Sequence, residues 1–500
     1  MTAAVAPAQQ FDQLPTLRLP LFGGSSAGVA LGDLDGDGDL DMVTANYANC
    51  STPGWCNPFV AFDRLCLNDG RGNLVEAPAL AFPGSYGGQF GSFAVKMGDV
   101  DGDGDLDVIT NGTGSSGARL YRNNGAAQFT RTGLPAGGAQ GIAIGDVDGD
   151  GDLDLVFAFY ASQDRLLINN GSGNFTDETA ARMPVDSVIS TAVAMGDVDG
   201  DGDLDLVIAT SQDQNGYYPQ SQSRLYLNGG TGTFNNVTAS QMPPDLEPTA
   251  DIALTDVDSD GDLDIVLANA GISLTGWGRQ SSLWLNDGAG TFVDATATSM
   301  PTDIDWDEAV AVIDIDEDGD PDLVFGSPYT RDRIYHNDGA GTFTDVTTTV
   351  LGPAWQSGSA FIEFGDLDGD GDQDLIAGYR LFTNLQRQLD APAPPQIGQS
   401  YTYDIYARHG APHAFDVALP FVSLAPAAIA LPPFGWVGID PTQAVALPLV
   451  TVPPATGVAS FALAIPNNPV LAGLSLYAQA LHVPYPLPPR LTNVTLGVVQ

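Results

Sequence analysis

Short runs in which apolar residues alternate with small or polar ones follow one another from about residue 25 to residue 384. Period-two runs of this length predict strands rather than helices. They recur in a fixed order. A run such as Ile142-Ala143-Ile144 or Ala192-Val193-Ala194-Met195 leads into a polar loop, and Leu155-Val156-Phe157 or Leu206-Val207-Ile208 leaves it. A third run follows, as in Arg165–Asn169, Arg224–Asn228 and Ser282–Asn286. Next comes a glycine-rich turn such as Asn286-Asp287-Gly288-Ala289-Gly290, a strong hairpin signal. A fourth run opens on an aromatic: Phe129, Phe175, Phe234, Phe292 or Phe343. Each unit therefore predicts four short antiparallel strands.

The polar loop is the most regular part of the unit. Its nine residues begin at Asp33, Asp99, Asp146, Asp197, Asp256, Asp314 and Asp366, at intervals of 47 to 66 residues. Four-stranded units at this period are the blades of a β-propeller, and seven copies predict seven blades. Five aspartates occupy the odd positions of every copy. They are Asp33, Asp35, Asp37, Asp39 and Asp41; Asp99, Asp101, Asp103, Asp105 and Asp107; Asp146, Asp148, Asp150, Asp152 and Asp154; Asp197, Asp199, Asp201, Asp203 and Asp205. The last three copies carry Asp256, Asp258, Asp260, Asp262 and Asp264; Asp314, Asp316, Asp318, Asp320 and Asp322; Asp366, Asp368, Asp370, Asp372 and Asp374.

This spacing points to a hard divalent cation. Calcium takes six to eight oxygens. Carboxylates at positions 1, 3, 5 and 9 and the carbonyl at position 7 supply them, while glycine at position 6 permits the sharp turn. Two carboxylates about 5 Å apart repel by roughly 3 kcal/mol at an effective dielectric near 20, so four in one empty loop oppose folding. An EF-hand shares the opening spacing but needs flanking helices and a glutamate at position 12. Here the flanks are strands and the loop closes at position 9. The expectation is seven Ca²⁺ sites, with the position-7 side chains turned away from the ion.

Composition sharpens the picture. The chain has 62 acidic and 17 basic residues and a formal charge of −45; Lys96 is its one lysine. Such a surface repels nucleic acid and anionic membranes. The longest uncharged apolar run, residues 417–439, is broken by Pro420, Pro426, Pro432 and Pro433 and reads as β-structure, not as a membrane span. Residues 1–7 lack the basic and apolar regions of a signal peptide and read as the start of a mature chain. Cys50 and Cys56 share a loop with Pro53 and Gly54 and are expected to form a disulfide, which suits an oxidising compartment. Cys66, in a strand, is expected to be a buried free thiol.

The pattern resembles the FG-GAP or VCBS-type repeat of integrin α-chain propellers and related bacterial secreted proteins. The matching residues are the seven aspartate loops, Phe90-Gly91 before the second copy, and Asp322–Pro328 after the sixth. The resemblance covers about residues 20–390. It implies a seven-bladed propeller with calcium in the hairpin between the first two strands of a blade. Integrin propellers carry the loop in only some blades, whereas all seven copies have it here. Ser259 and Glu317 replace glycine at position 4, and Pro321 and Gln373 replace leucine at position 8.

Closure of the ring is written in the chain ends. In several copies a proline follows the fourth-strand aromatic by nine residues, as from Phe175 to Pro184. The seventh copy stops early, while Phe11 precedes Pro20 by the same nine residues. Residues 11–20 are therefore expected to supply the outer strand of the last blade. The propeller spans 1–390, a stiff Pro-rich linker 391–398, and a small β-sandwich 399–500. The fold class is all-β.

Catalytic signals are sparse. His336, His409, His413 and His482 are scattered, and Gly410 and Pro412 exclude a helical zinc pair. Residues 24–28 match a nucleophile-elbow pattern but no helix follows. Long connections on the face away from the loops carry aromatics: Trp55, Tyr217, Tyr218, Trp277, Trp306 and Trp355. These are candidate ligand contacts for a glycan or an extracellular protein. The expected function is a secreted or surface module for adhesion or carbohydrate binding, and the reading leans away from an enzyme. A polysaccharide lyase or hydrolase on the same scaffold is one alternative. A structural subunit of a surface assembly, with self-assembly through the C-terminal domain, is another.

Overall fold

The computed structural model describes residues 11–13, 25–47, 63–70, 72–78, 81–83, 91–112, 117–211, 222–271, 278–316, 318–351, 358–369, 371–378, 380–384, 389–390, 395–406, 416–430, 436–452, 458–472, 474–484, 490–491 and 495–500. Among these residues seven four-stranded antiparallel sheets account for the repeats. The first contains Ser25–Gly32, Asp41–Tyr47, Arg64–Leu67 and Val75–Glu76 in that order. The innermost strands are Ser25–Gly32, Ser92–Gly98, Gly141–Gly145, Ile189–Gly196, Thr249–Thr255, Ala309–Ile313 and Ile362–Gly365. Each packs against the next, and the last returns to the first, so the sheets form a closed ring. This is a β-propeller.

Ring closure uses the beginning of the chain. The seventh sheet takes Ile362–Gly365, Asp374–Ala377 and Arg380–Asn384 from its own repeat. Its outer strand is Phe11–Gln13, antiparallel with Phe11 opposite Asn384 and Gln13 opposite Phe382. The core explains why closure matters. Val29, Met42 and Cys66 of the first sheet pack with Phe361, Ile376 and Leu381 of the seventh in one buried cluster. Ile109 and Leu120 of the second sheet likewise meet Ile142, Leu155 and Phe157 of the third. Apolar burial thus lies between sheets, and a single sheet has nothing to bury its faces against. Second strands are covered on both faces: Asp107–Gly112 and Asp264–Asn269 are buried throughout.

Among the described residues, four one-turn α-helices stand outside the expected strands of the repeats: Thr179–Arg182, Thr238–Gln241, Thr296–Ser299 and Thr347–Val350. They fill the space between the aromatic and the proline of the repeat. In each, an Asx side chain two residues earlier accepts the threonine N–H, as Asp177 does from Thr179 at 3.1 Å. The threonine Oγ1 accepts a third-strand N–H, as from Leu166 at 3.0 Å.

Pairing of the C-terminal region begins within Leu389–Asp390, just ahead of the Pro-rich segment, against Ser400–Tyr406. Ser400–Tyr406 also pairs with Val458–Ala464. A second sheet is built on Asp416–Ser423 and Ser475–Pro484. Tyr403 and Ile405 of one sheet and Ala418, Ala478 and Ala480 of the other share a core. No helix among the described residues is long and apolar enough to cross a membrane.

Candidate metal centres

Each aspartate loop joins the first and second strands of its sheet. In the first, Gly36 and Gly38 adopt φ of 79° and 95°, a region that favours glycine. This lets the chain fold back so that Asp33 accepts the N–H groups of Gly36 (2.8 Å) and Gly38 (3.0 Å). Asp99, Asp146, Asp197 and Asp366 repeat both bonds. Asp256 and Asp314 keep the bond to the position-6 glycine. Ser259 takes φ of 60° in the fifth loop, so the turn is kept at position 4 without glycine.

Position 9 is the anchor. Asp41 is fully buried, and its two oxygens accept N–H groups from Leu34 (3.0 Å) and Asn68 (2.9 Å). Asp107, Asp154, Asp205, Asp264, Asp322 and Asp374 make the same pair of contacts in their own sheets. Carboxylate oxygens of Asp33, Asp35 and Asp41 lie within 4.8 Å of one another, as do those of positions 1, 3 and 9 in the next three loops. At position 5 of the first loop, the exposed Asp37 accepts the N–H of Asp39 at 3.0 Å. Position 7 turns to the hairpin between the third and fourth strands. A Cβ on Gly70 would collide with Asp39 Oδ2, and Gly125, Gly171, Gly230, Gly288 and Gly339 face their position-7 aspartates in the same way.

The donor set fits a divalent cation. Oδ1 of Asp35, Asp101, Asp148 and Asp258, all at position 3, is buried without a hydrogen-bond partner among the described residues. A buried carboxylate oxygen facing other carboxylates is costly unless a cation satisfies it. Burial pushes Asp41, Asp107, Asp154 and Asp264 up to about 6 and Asp205 to about 7; nearby N–H donors oppose this and neighbouring carboxylates add to it. The clusters can hold a metal ion, and their all-oxygen chemistry suits calcium.

The loops are also wired to one another. The asparagine ending each third strand gives its backbone N–H to position 9 of its own loop. Its side chain donates to the position-2 carbonyl of the preceding loop. Asn123 reaches Leu34 at 2.8 Å, Asn169 reaches Val100 at 2.8 Å, and Asn228 reaches Val147 at 2.7 Å. Asn286 and Asn337 continue the series to Val198 and Val257, and Asn68 carries it across the closure to Leu367. The strand-ending asparagine is visible in the sequence, but its role follows only from the register between sheets.

The candidate ligand aromatics fare differently. Trp55, Tyr217, Tyr218, Trp277 and Trp355 lie outside the described residues, as do Cys50 and Cys56. Trp306 is half-buried, edge-on to the exposed Tyr329 with ring centroids 5.0 Å apart. Cys66 is a free, buried thiol pushed up to about 12 by burial. His336, which the sequence left without a role, stands at the sixth loop with Nδ1 3.1 Å from Asp322 Oδ1.

No curated protein sequence matches this chain. Among solved structures, crystals of BBS1N in complex with ARL6DN soaked with lead show 10% identity and a TM-score of 0.45, over 76% of this chain and 98% of that one. The mercury-soaked crystals of that complex give 10% identity and a TM-score of 0.44, over 75% and 97%. The FG-GAP-like repeat matches residues 99–157, 146–208, 209–267, 272–325 and 314–377, and the FG-GAP repeat matches 190–227. Together they span 99–267 and 272–377, more than half of the chain, which belongs to the FG-GAP-like repeat family.

Proposed function

We propose that this chain is a calcium-stabilised binding module, secreted or held at a cell surface, that takes a glycan or protein partner on the face opposite its metal loops. FG-GAP repeats on a propeller point to a binding or structural module. The observation that carries the calcium reading is the recurring convergence of carboxylates at positions 1, 3 and 9, with a stranded buried oxygen at position 3 in four loops. Positions 5 and 7 complete the coordination on this reading, through the carboxylate and the backbone carbonyl.

The choice of face follows from strand direction. Metal loops lie at one end of each sheet, so connections between second and third strands leave from the other. In the first, fourth and fifth sheets those connections are long, running from Tyr47 to Arg64, from Ser211 to Arg224 and from Asn269 to Ser282, and in the others they are short. Variable connections on a rigid scaffold are where specificity resides. The exposed Tyr329 sits in the connection of this kind in the sixth sheet and Trp306 in the segment that links the fifth sheet to the sixth, and aromatics there suit sugar rings or apolar anchors of a protein.

A glycan and protein-ligand array, probed with calcium and again in EDTA, tests the reading. Binding is expected to need calcium and to vanish when Trp55, Trp277, Trp306 and Trp355 are changed together to Ala, with metal content unchanged. Binding that survives this variant and fails on changes at the metal face overturns the assignment of faces. No ligand across the array, together with polymerisation of the chain, favours a structural subunit.

A further inference from the structure

The sixth loop differs from its neighbours in one donor. The residue just before the terminal asparagine of the third strand is Leu67, Arg122, Ile168, Leu227, Leu285 or Thr383 in the other sheets, and His336 in the sixth. The strand register is unchanged there: His336 pairs with Thr344 and Asn337 with Phe343, as Leu285 pairs with Val293 and Asn286 with Phe292. A side chain at this position reaches the metal loop. Arg122 shows this in the second sheet, with Nε 3.8 Å from Asp101 Oδ2. His336 Nδ1 lies 3.1 Å from Asp322 Oδ1 and 3.6 Å from Asp316 Oδ2. His336, Asp316 and Asp318 each offer a ligand atom, all within 4.8 Å of one another. In the first four loops carboxylates of positions 1, 3 and 9 come together. The sixth brings positions 3 and 5 together with an imidazole.

We propose that the sixth loop is a distinct site for a divalent transition ion, zinc foremost, held by His336, Asp316 and Asp318 with Asp322 behind them. Calcium is a hard ion served by oxygen, so an imidazole is a poor addition to its shell. Imidazole nitrogen suits zinc, nickel and copper, and zinc accepts a mixed set of histidine and aspartate at about 2.0–2.2 Å in a four-coordinate shell. Binding at that distance requires the three ligand atoms, now within 4.8 Å of one another, to draw in toward a common centre. The side chains of His336 and Asp316 are 32% and 43% exposed, which leaves them room to turn. Asp322 is fixed, being fully buried and accepting N–H groups from Ile315 (2.9 Å) and Asn337 (2.7 Å). The site goes beyond the calcium reading and does not depend on what the other six loops bind.

The full chain, dialysed against zinc with calcium in excess, tests the proposal through retained metal. The wild-type chain is expected to keep a zinc ion that His336→Leu loses, with zinc affinity at the tightest site falling at least about tenfold. Leucine already fills the equivalent position at Leu227 and Leu285, so the variant retains a residue the strand accommodates. Equal zinc retention by both chains overturns the proposal. A second measurement needs no variant: anomalous scattering at the zinc edge from wild-type crystals soaked with zinc. A peak at bonding distance from His336, and none at the first four loops, is the expected result. A sixth loop without zinc overturns the proposal and leaves His336 as a charged group balancing the carboxylates.

Discussion

Glycine and leucine alternate around the ring as a matched pair. A Cβ on Gly145 would lie 2.7 Å from Cδ1 of Leu204, the position-8 leucine of the next loop, and Gly32, Gly98, Gly196 and Gly365 face Leu106, Leu153, Leu263 and Leu40 in the same way. Where Thr255 and Ile313 replace the glycine, the following loop carries Pro321 and Gln373 instead of leucine, so the two departures from the repeat are one. Gly141 differs in kind, since its Cβ would meet the backbone of Ala192 at 2.9 Å and of Thr191 at 3.0 Å. Gly141→Ala is therefore expected to cost about 1–3 kcal/mol, as overpacking does. Gly145→Ala should cost less, because a leucine tip can move. Urea midpoints in saturating calcium measure both, and equal losses would show that the backbone approach is not limiting. Titration adds a second expectation. Asp41, Asp107, Asp154 and Asp264 at about 6, and Asp205 at about 7, are raised from 3.8 in the folded state. Without metal, their contribution to stability is full below the unfolded value and is lost as pH rises through about 6 to 7. A bound cation favours the ionised forms, so in calcium the dependence reverses and metal is released as pH falls through that window. Melting curves in EDTA and in calcium between about pH 5 and 8 should therefore slope in opposite directions. At this scale the aspartates were legible because their spacing is itself the chemistry. His336 was not, because its neighbours in space are Asp316 and Asp322, set by pairing between strands and not by distance along the chain.

Among the elements, the third strand does more than fill the sheet, because its last residue ties two loops together. Asn228 donates from its side chain to Val147 of the third loop at 2.7 Å and to Leu204 of its own at 3.1 Å, while its N–H reaches Asp205. Asn228→Ala keeps the backbone bond and strands a buried carbonyl, at an expected cost of about 1–3 kcal/mol. The third and fourth metal loops should both weaken, since one loses its tether and the other a support. Calorimetric titration with calcium should show two sites of reduced affinity and the rest unchanged; loss confined to the fourth loop would mean the tether carries no coupling. The four-strand units themselves were legible in the sequence, because alternation, a glycine turn and an aromatic recur in one order. The one-turn helices were not. Four residues cannot display a helical period, and what specifies them is an Asx–x–Thr step: Asp177 to Thr179, Asn236 to Thr238, Asp294 to Thr296, Asp345 to Thr347. That step satisfies backbone groups locally, which a search for hydrophobic periodicity does not see.

Across the whole molecule, stability is a property of the closed ring. Each buried cluster is shared by neighbouring sheets, so an opening at one seam exposes apolar surface on two of them. The seam at the seventh sheet is held by Phe11–Gln13 on Arg380–Asn384 and by Asn68 on Leu367. Removing residues 1–20 leaves the strand Arg380–Asn384 as a free edge, the kind of surface that pairs with other chains. Charge pulls the other way. A chain at −45 repels itself, and much of that charge is concentrated in the loops. Divalent ions in all seven loops would bring 14 positive charges to those points. At calcium about ten times Kd, each site would add roughly 1.4 kcal/mol, and the sum would approach the whole stability of a typical domain. Chelation should therefore lower the melting temperature of the intact chain steeply. Magnesium should restore little of it, because it holds its waters and demands a strict octahedron. The deletion should lower the melting temperature in calcium as well, but with association detectable by light scattering, whereas chelation acts on every sheet and not at one seam. An unchanged melting temperature in EDTA, with metal loss confirmed, would mean that packing between sheets holds the ring unaided and that the loops serve some other end.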